Sequence, residues 1–167
     1  FSTLRSIPGN FIGLDHEIID FDGDGFLDIV TGMNNVNDLC IIYGPNCTSI
    51  ENIYHEHSSI GHIGWRTIYT DLDDDSDLDI VTVSSPRYLH IFRNDGDSLT
   101  LYLRHNFIHS DGLAVGDFDL DGDLDVIVGQ IETSEGFYLF RNLFAETGVF
   151  SFSDSSRLTT ERGYYDA

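Results

Sequence analysis

Three nine-residue windows of the chain carry aspartate at the same places: D-F-D-G-D-G-F-L-D from Asp20, D-L-D-D-D-S-D-L-D from Asp71 and D-F-D-L-D-G-D-L-D from Asp117. Asp fills positions 1, 3, 5 and 9 of each window, and Leu fills position 8. Roughly half of the acidic residues are crowded into these windows. Carboxylates a few ångströms apart repel one another in any partly desolvated loop. A fold that keeps them together needs a counter-ion. The competing account is three solvated acidic turns between strands, and repetition in one register argues against it.

The residue types indicate which cation. Alternate residues of a tight loop turn their oxygens inward, and position 9 closes the cage. Calcium is hard and takes six to eight oxygen ligands, whereas magnesium gives up its water reluctantly. Zinc favours His or Cys, and neither occurs in the windows. The expected side-chain ligands are Asp20, Asp22, Asp24 and Asp28; Asp71, Asp73, Asp75 and Asp79; and Asp117, Asp119, Asp121 and Asp125. The position-7 carbonyls of Phe26, Asp77 and Asp123 are expected to add one ligand each, for about three calcium ions in all. Gly25 and Gly122 at position 6 allow the left-handed backbone that folds the loop round an ion. Ser76 stands there in the second window, at a cost of roughly 1 kcal/mol or more. That loop is expected to be the weaker, although Asp74 and Asp77 raise its local field.

The windows recur at a spacing of about 50 residues, the mark of a unit that cannot bury its own face and stacks on its neighbours. Each window follows a short strand-like run (Glu17 to Asp20, Trp65 to Thr70, Leu113 to Gly116). Each precedes a β-branched run (Leu27 to Thr31, Leu78 to Val83, Leu124 to Val128). Apolar stretches of that length, bounded by turn residues, predict strands buried on both faces. Third strands are predicted at Leu39 to Tyr43, Leu89 to Asn94 and Phe137 to Asn142, and less regular fourth strands near Thr48 to Tyr54, Leu99 to Leu103 and Val149 to Phe152. Four antiparallel strands per unit is the build of a propeller blade, so the fold class is all-β, with propeller-type four-stranded blades in three repeats. No amphipathic helix is evident.

The D-F-D-G-D-G-x-L-D-I-V core, with a later F-R-N in two copies, resembles the FG-GAP and VCBS repeats, the blades of integrin-α-like propellers and of propeller lectins. The resemblance covers nearly the whole chain. It implies a calcium ion in the loop between the first two strands of each blade, held by the aspartates at positions 1, 3, 5 and 9. It does not settle function, because this fold serves adhesion, sugar binding and enzymes alike.

The expected organisation is one repeat domain over 1–167, with the end of a preceding blade over 1–19 and units over 20–70, 71–116 and 117–167. Closed propellers need about 4 to 8 blades, and the chain is expected to begin and stop within a repeat. Either it is a segment of a longer propeller, or neighbouring copies complete one another's blades through open strand edges.

Charge and composition narrow the partners. With 8 basic residues against 29 acidic ones the formal net charge is -21, which repels phosphate backbones and anionic lipid. No apolar run approaches the roughly 20 residues of a membrane span. Cys40 and Cys47, the only cysteines, flank a Tyr43-Gly44-Pro45-Asn46 turn and are expected to form a disulfide, two unrelated thiols being the alternative. Asn46-Cys47-Thr48 is an acceptor triplet for N-glycosylation at Asn46. Both features suit an oxidising, calcium-rich location outside the cell or on its surface.

His55, His57 and His62 lack the companions for a tetrahedral metal site, and no nucleophile sits in a catalytic context, so no enzyme is expected. Trp65, Tyr69, Tyr88, Tyr102, Tyr138, Tyr164 and Tyr165 could stack on sugars, but packing between blades is the simpler role. The leading expectation is a calcium-binding adhesion or lectin-like module recognising glycans or extracellular proteins. A subunit of an extracellular filament and a non-catalytic propeller attached to a polysaccharide-active enzyme are the alternatives.

Overall fold

The computed structural model describes residues 13–33, 38–45, 51–55, 62–85, 88–96, 98–107, 110–130, 136–153 and 155–158. Three four-stranded antiparallel meanders follow one another along the chain. The first contains β1 (Gly13–Ile19), β2 (Asp28–Met33), β3 (Asp38–Ile42) and β4 (Glu51–His55). The second contains β5 (His62–Thr70), β6 (Asp79–Ser85), β7 (Tyr88–Asn94) and β8 (Leu99–Asn106). The third contains β9 (Ser110–Gly116), β10 (Asp125–Gln130), β11 (Phe137–Phe140) and β12 (Ser156–Leu158). The fold is all-β, three blade-like sheets that do not close into a barrel, as part of a propeller would be.

The second sheet shows why its strands read as continuous apolar runs. In the register that pairs Ile80 with Phe92, Val81 with Ile91 and Val83 with Leu89, alternate residues point to opposite faces. Ile80 and Phe92 meet Phe21, Val30, Leu39 and Ile41 of the first sheet and its loop. Val81, Val83, Leu89 and Ile91 meet Val126, Val128 and Phe140 of the third sheet. Both faces are thus covered. Each such aliphatic or aromatic side chain contributes about 1.5–3 kcal/mol through burial.

Aromatic side chains fill the space between blades. Tyr102 on β8 meets Phe150 in a tilted contact at 4.6 Å between ring centroids, and its hydroxyl donates to the Phe150 carbonyl at 2.6 Å. Tyr138 meets Phe107 edge-on at 5.4 Å, and Tyr69 packs beside the core between the first two sheets. Tyr88 differs, lying under the Arg104 guanidinium of its own sheet at 3.8 Å.

The third sheet departs from the sequence-based prediction. Its fourth strand is Ser156–Leu158, paired with β11 through Leu139 and Ser156, rather than Val149 to Phe152. The predicted segment makes only an isolated bridge between Asn142 and Phe152. A single helical turn, α1 (Phe144–Thr147), intervenes. Gly148 ends it in a left-handed conformation at φ +66°, donating to the Phe144 carbonyl at 2.7 Å, and the Thr147 hydroxyl binds the Leu143 carbonyl. Those capping bonds explain a turn that no apolar periodicity announced. The second sheet's fourth strand continues past Leu103 to Asn106. In the first sheet, Thr48 to Ile50 lie outside the described residues.

Candidate metal centre

Each aspartate window is the connection from the first to the second strand of a sheet: loop 1 joins β1 to β2, loop 2 joins β5 to β6, and loop 3 joins β9 to β10. Their backbones follow one path. Position 4 has a positive φ in all three, at Gly23 (+72°), Asp74 (+58°) and Leu120 (+65°). Position 6 does too, at Gly25 (+89°), Ser76 (+78°) and Gly122 (+107°). The reading of position 6 holds, including the strained Ser76. Position 4 escaped the sequence because only one copy has glycine there.

Hydrogen bonds fix these loops, and position 9 makes the same pair of them in all three. Asp28 Oδ2 accepts from Phe21 N–H (2.8 Å), Asp79 Oδ2 from Leu72 N–H (2.9 Å) and Asp125 Oδ2 from Phe118 N–H (3.1 Å). The Oδ1 of each accepts from a residue just past the third strand or at its end: Gly44 (2.8 Å), Asn94 (2.8 Å) and Asn142 (2.9 Å). One wholly buried carboxylate thereby ties the loop's entry to the end of the third strand. Gly44 stands where the other copies have Asn because a Cβ would come within 2.6 Å of the Leu27 carbonyl. Position 5 makes a second repeated bond, with Asp24, Asp75 and Asp121 each accepting from the N–H two residues on, at 2.8, 2.9 and 3.2 Å.

Three groups of carboxylates converge, each with one oxygen per residue inside a 4.8 Å span: Asp20, Asp22 and Asp28; Asp71, Asp73 and Asp79; Asp117, Asp119 and Asp121. Asp24 and Asp75 stand outside the first two groups, and Asp125 outside the third. A hard divalent cation fits these groups, because each leaves an oxygen without a partner. Asp20 Oδ1, Asp73 Oδ1 and Asp119 Oδ1 are buried with no hydrogen-bond donor among the described residues. An orphaned buried acceptor is costly and rare, and a cation is what would satisfy it.

The residues that sequence reasoning missed are the arginines of the two F-R-N triplets. Arg93 Nε lies 2.8 Å from Asp73 Oδ2, an ion pair without the alignment of a hydrogen bond. Arg141 Nη2 lies 3.1 Å from Asp119 Oδ2. In both loops the arginine holds Oδ2 of position 3 and leaves Oδ1 facing inward, the orienting role of groups one shell out from a metal. The recurrence of F-R-N at the end of the third strand in two copies was the available signal. The first copy has Ile42-Tyr43-Gly44 there and so no arginine.

Without a cation five of the loop aspartates hold protons more tightly than a free carboxyl. Burial pushes Asp79 up to about 7, against the opposing bonds from Asn94 and Leu72 and with added repulsion from Asp73 and Asp75. Burial is also the leading cause that raises Asp22, Asp73, Asp123 and Asp125, and neighbouring carboxylates add to it in each case.

Cys40 is buried on β3. Cys47, Asn46, His57, Tyr164 and Tyr165 lie outside the described residues, as do the side chains of His55, His62 and Trp65. Among the described residues no helix is long and apolar enough to cross a membrane. No curated protein and no solved structure matches the chain. Residues 71–128, from the start of loop 2 through loop 3 and into β10, match the model of the FG-GAP-like repeat. The matched stretch is less than half of the chain.

Proposed function

We propose that the chain is a calcium-held β-propeller repeat module of the extracellular space, non-catalytic, that presents its loops to glycans or proteins. The observation that carries this reading is the buried, unpartnered carboxylate oxygen in each of three loops of one backbone path. Oxygen-only donor sets suit calcium, and extracellular modules work with sites as weak as about millimolar because the ion is plentiful there. The arginines, the position-9 carboxylates and the left-handed positions serve the shape of the loops, which supports a structural metal over a catalytic one. Calcium held by Asp20, Asp22 and Asp28, and by their counterparts, would join the first two strands of each sheet, so that binding energy becomes folding energy. A Cys40–Cys47 disulfide and a glycan on Asn46 belong to the same proposal.

Thermal unfolding of the chain in calcium, in magnesium and in chelator tests it. One site at a calcium concentration of about 100 Kd adds about 2.7 kcal/mol, so the midpoint is expected to climb by several degrees per loop and to keep climbing with concentration. Identical melting in calcium and chelator refutes the reading. A glycan array probed in both conditions then separates carbohydrate from protein partners.

One observation favours a second reading, in which another blade packs on the third sheet. The apolar residue at position 2 of loops 1 and 2 inserts against the following sheet, leaving Phe21 6% and Leu72 2% exposed. Its counterpart Phe118 is 53% exposed. Either a further sheet of the same protein or an edge of a neighbouring copy would cover it. Light scattering with Phe118→Asp against the unmodified chain decides between them. Loss of self-association on substitution supports neighbouring copies, and a monomer in both excludes them.

A further inference from the structure

We propose a second cation site beside loop 3, formed by Asp121, Asp123 and Glu146, that takes a hard divalent cation such as calcium and shares Asp121 with the loop's own carboxylate group. One oxygen from each of the three residues lies within 4.8 Å of the others. Acidic clusters on a surface often hold nothing, so the decisive observation is Asp123. Its side chain is only 6% exposed. The Oδ2 atom accepts from Ala145 N–H at 2.8 Å, and Oδ1 is buried with no hydrogen-bond donor among the described residues. A carboxylate that had only solvent to satisfy it would face outward. Here the α1 backbone holds it inward, beside two more negative groups.

No basic side chain meets this charge among the described residues. The nearby Arg141 is engaged with Asp119, and α1 has no basic residue in its last turn. Glu146 is presented by the same capping that ends the helical turn, with Thr147 N–H bonded to the Leu143 carbonyl and Leu143 N–H to the Ser151 carbonyl.

The other loops lack the arrangement. Position 7 is Phe26 in loop 1. In loop 2 it is Asp77, which packs so closely on Gly96 that a Cβ there would meet its Oδ2 at 2.9 Å, and among the described residues no third acid joins it. The adjacent Asp95 is paired with Arg93 at 2.9 Å. Among the described residues, loop 3 alone is flanked by an inserted turn, the one that supplies Glu146. Three carboxylates, two of them exposed, leave room for the water ligands that calcium takes to reach six to eight oxygens. An ion there would fasten α1 to loop 3, and the choice of calcium rests on the proposed function of the loops.

Native mass spectrometry of the full chain in calcium counts the ions directly. Glu146→Gln and Asp123→Asn are each expected to bind one ion fewer than the unmodified chain, while Glu17→Gln, an exposed acid on β1, leaves the count unchanged. Equal counts for the unmodified chain and Glu146→Gln, with ions present in both, overturn the second site and leave the loop reading standing. An equal drop in Glu17→Gln also overturns it, since the effect would then be one of net charge. No bound ion in any form overturns both.

Discussion

Replacing Asp79 with Ala has opposite electrostatic consequences with and without calcium. Asp79 is wholly buried and accepts from Leu72 N–H and Asn94 N–H. Truncation orphans both donors, at about 1–3 kcal/mol each. In chelator the same change removes a burdened charge. A carboxyl raised from 3.8 to about 7 corresponds to about 4 kcal/mol against keeping it ionised in the folded chain. The two effects are of similar size, so the variant in chelator is expected to melt close to the unmodified chain. In calcium the cation offsets the charge, and only the loss remains. The difference between conditions is then about 4 kcal/mol, or roughly 10 °C in a chain of this size at about 2–4 °C per kcal/mol. Circular dichroism melts of both proteins, each in millimolar calcium and in chelator, measure the four midpoints. An equal penalty in the two conditions refutes the reasoning, because the carboxylate would then be a structural acceptor with no link to a metal.

The remaining predictions use the same geometry. Leu120→Gly and Ser76→Gly relieve left-handed strain of about 1–2 kcal/mol, less about 0.5–1 for glycine's added freedom, so each is expected to raise stability by up to about 1 kcal/mol in urea unfolding. Leu120 is 86% exposed, so no packing is lost there. Asn142 Nδ2 donates to the Leu72 carbonyl at 2.7 Å, joining the third sheet to loop 2, and its Oδ1 accepts from Phe144 N–H. Asn142→Ala is expected to cost about 1–3 kcal/mol and to raise amide exchange near both Leu72 and Phe144. In chelator, Asp79 keeps its proton from about pH 4 to about pH 7 in the folded chain but not in the unfolded one. Stability should therefore fall by about 1.4 kcal/mol per unit as pH rises through that window. His105, held below its ordinary 6.5 by burial, acts in the opposite direction, since stability is lost as falling pH protonates it. The slope is accordingly read as unmodified chain minus Asp79→Asn, and its absence from that difference counts against a raised Asp79.

Much of this was legible in the sequence because continuous apolar runs bounded by turn residues and repeated acid spacing are local signals. The second strands run where the β-branched stretches predicted, since Ile80 and Val81 can be covered on opposite faces only in a stacked sheet. What escaped is carried by context. Leu120 and Asp74 adopt positive φ because the loop's hydrogen bonds impose it, and nothing in Leu as a residue type announces that. Arg93 and Arg141 look like solvated ends of strands until the fold returns them to the loops that open their own sheets. The fourth strand of the third sheet was misplaced because α1 is too short for a helical period and Val149 to Phe152 is apolar without being paired in a ladder. Position 9 was expected to close the cage. In every loop it also accepts backbone N–H from the loop's second residue and from the end of the third strand, a dual use that spacing alone does not reveal.

The central claim is that three loops with matching backbones enclose calcium. Anomalous-scattering density from crystals grown in millimolar calcium tests it most directly. The account predicts a peak in each loop about 2.3–2.6 Å from oxygens of Asp20, Asp73 and Asp119, respectively. Well-ordered loops holding only water would contradict it.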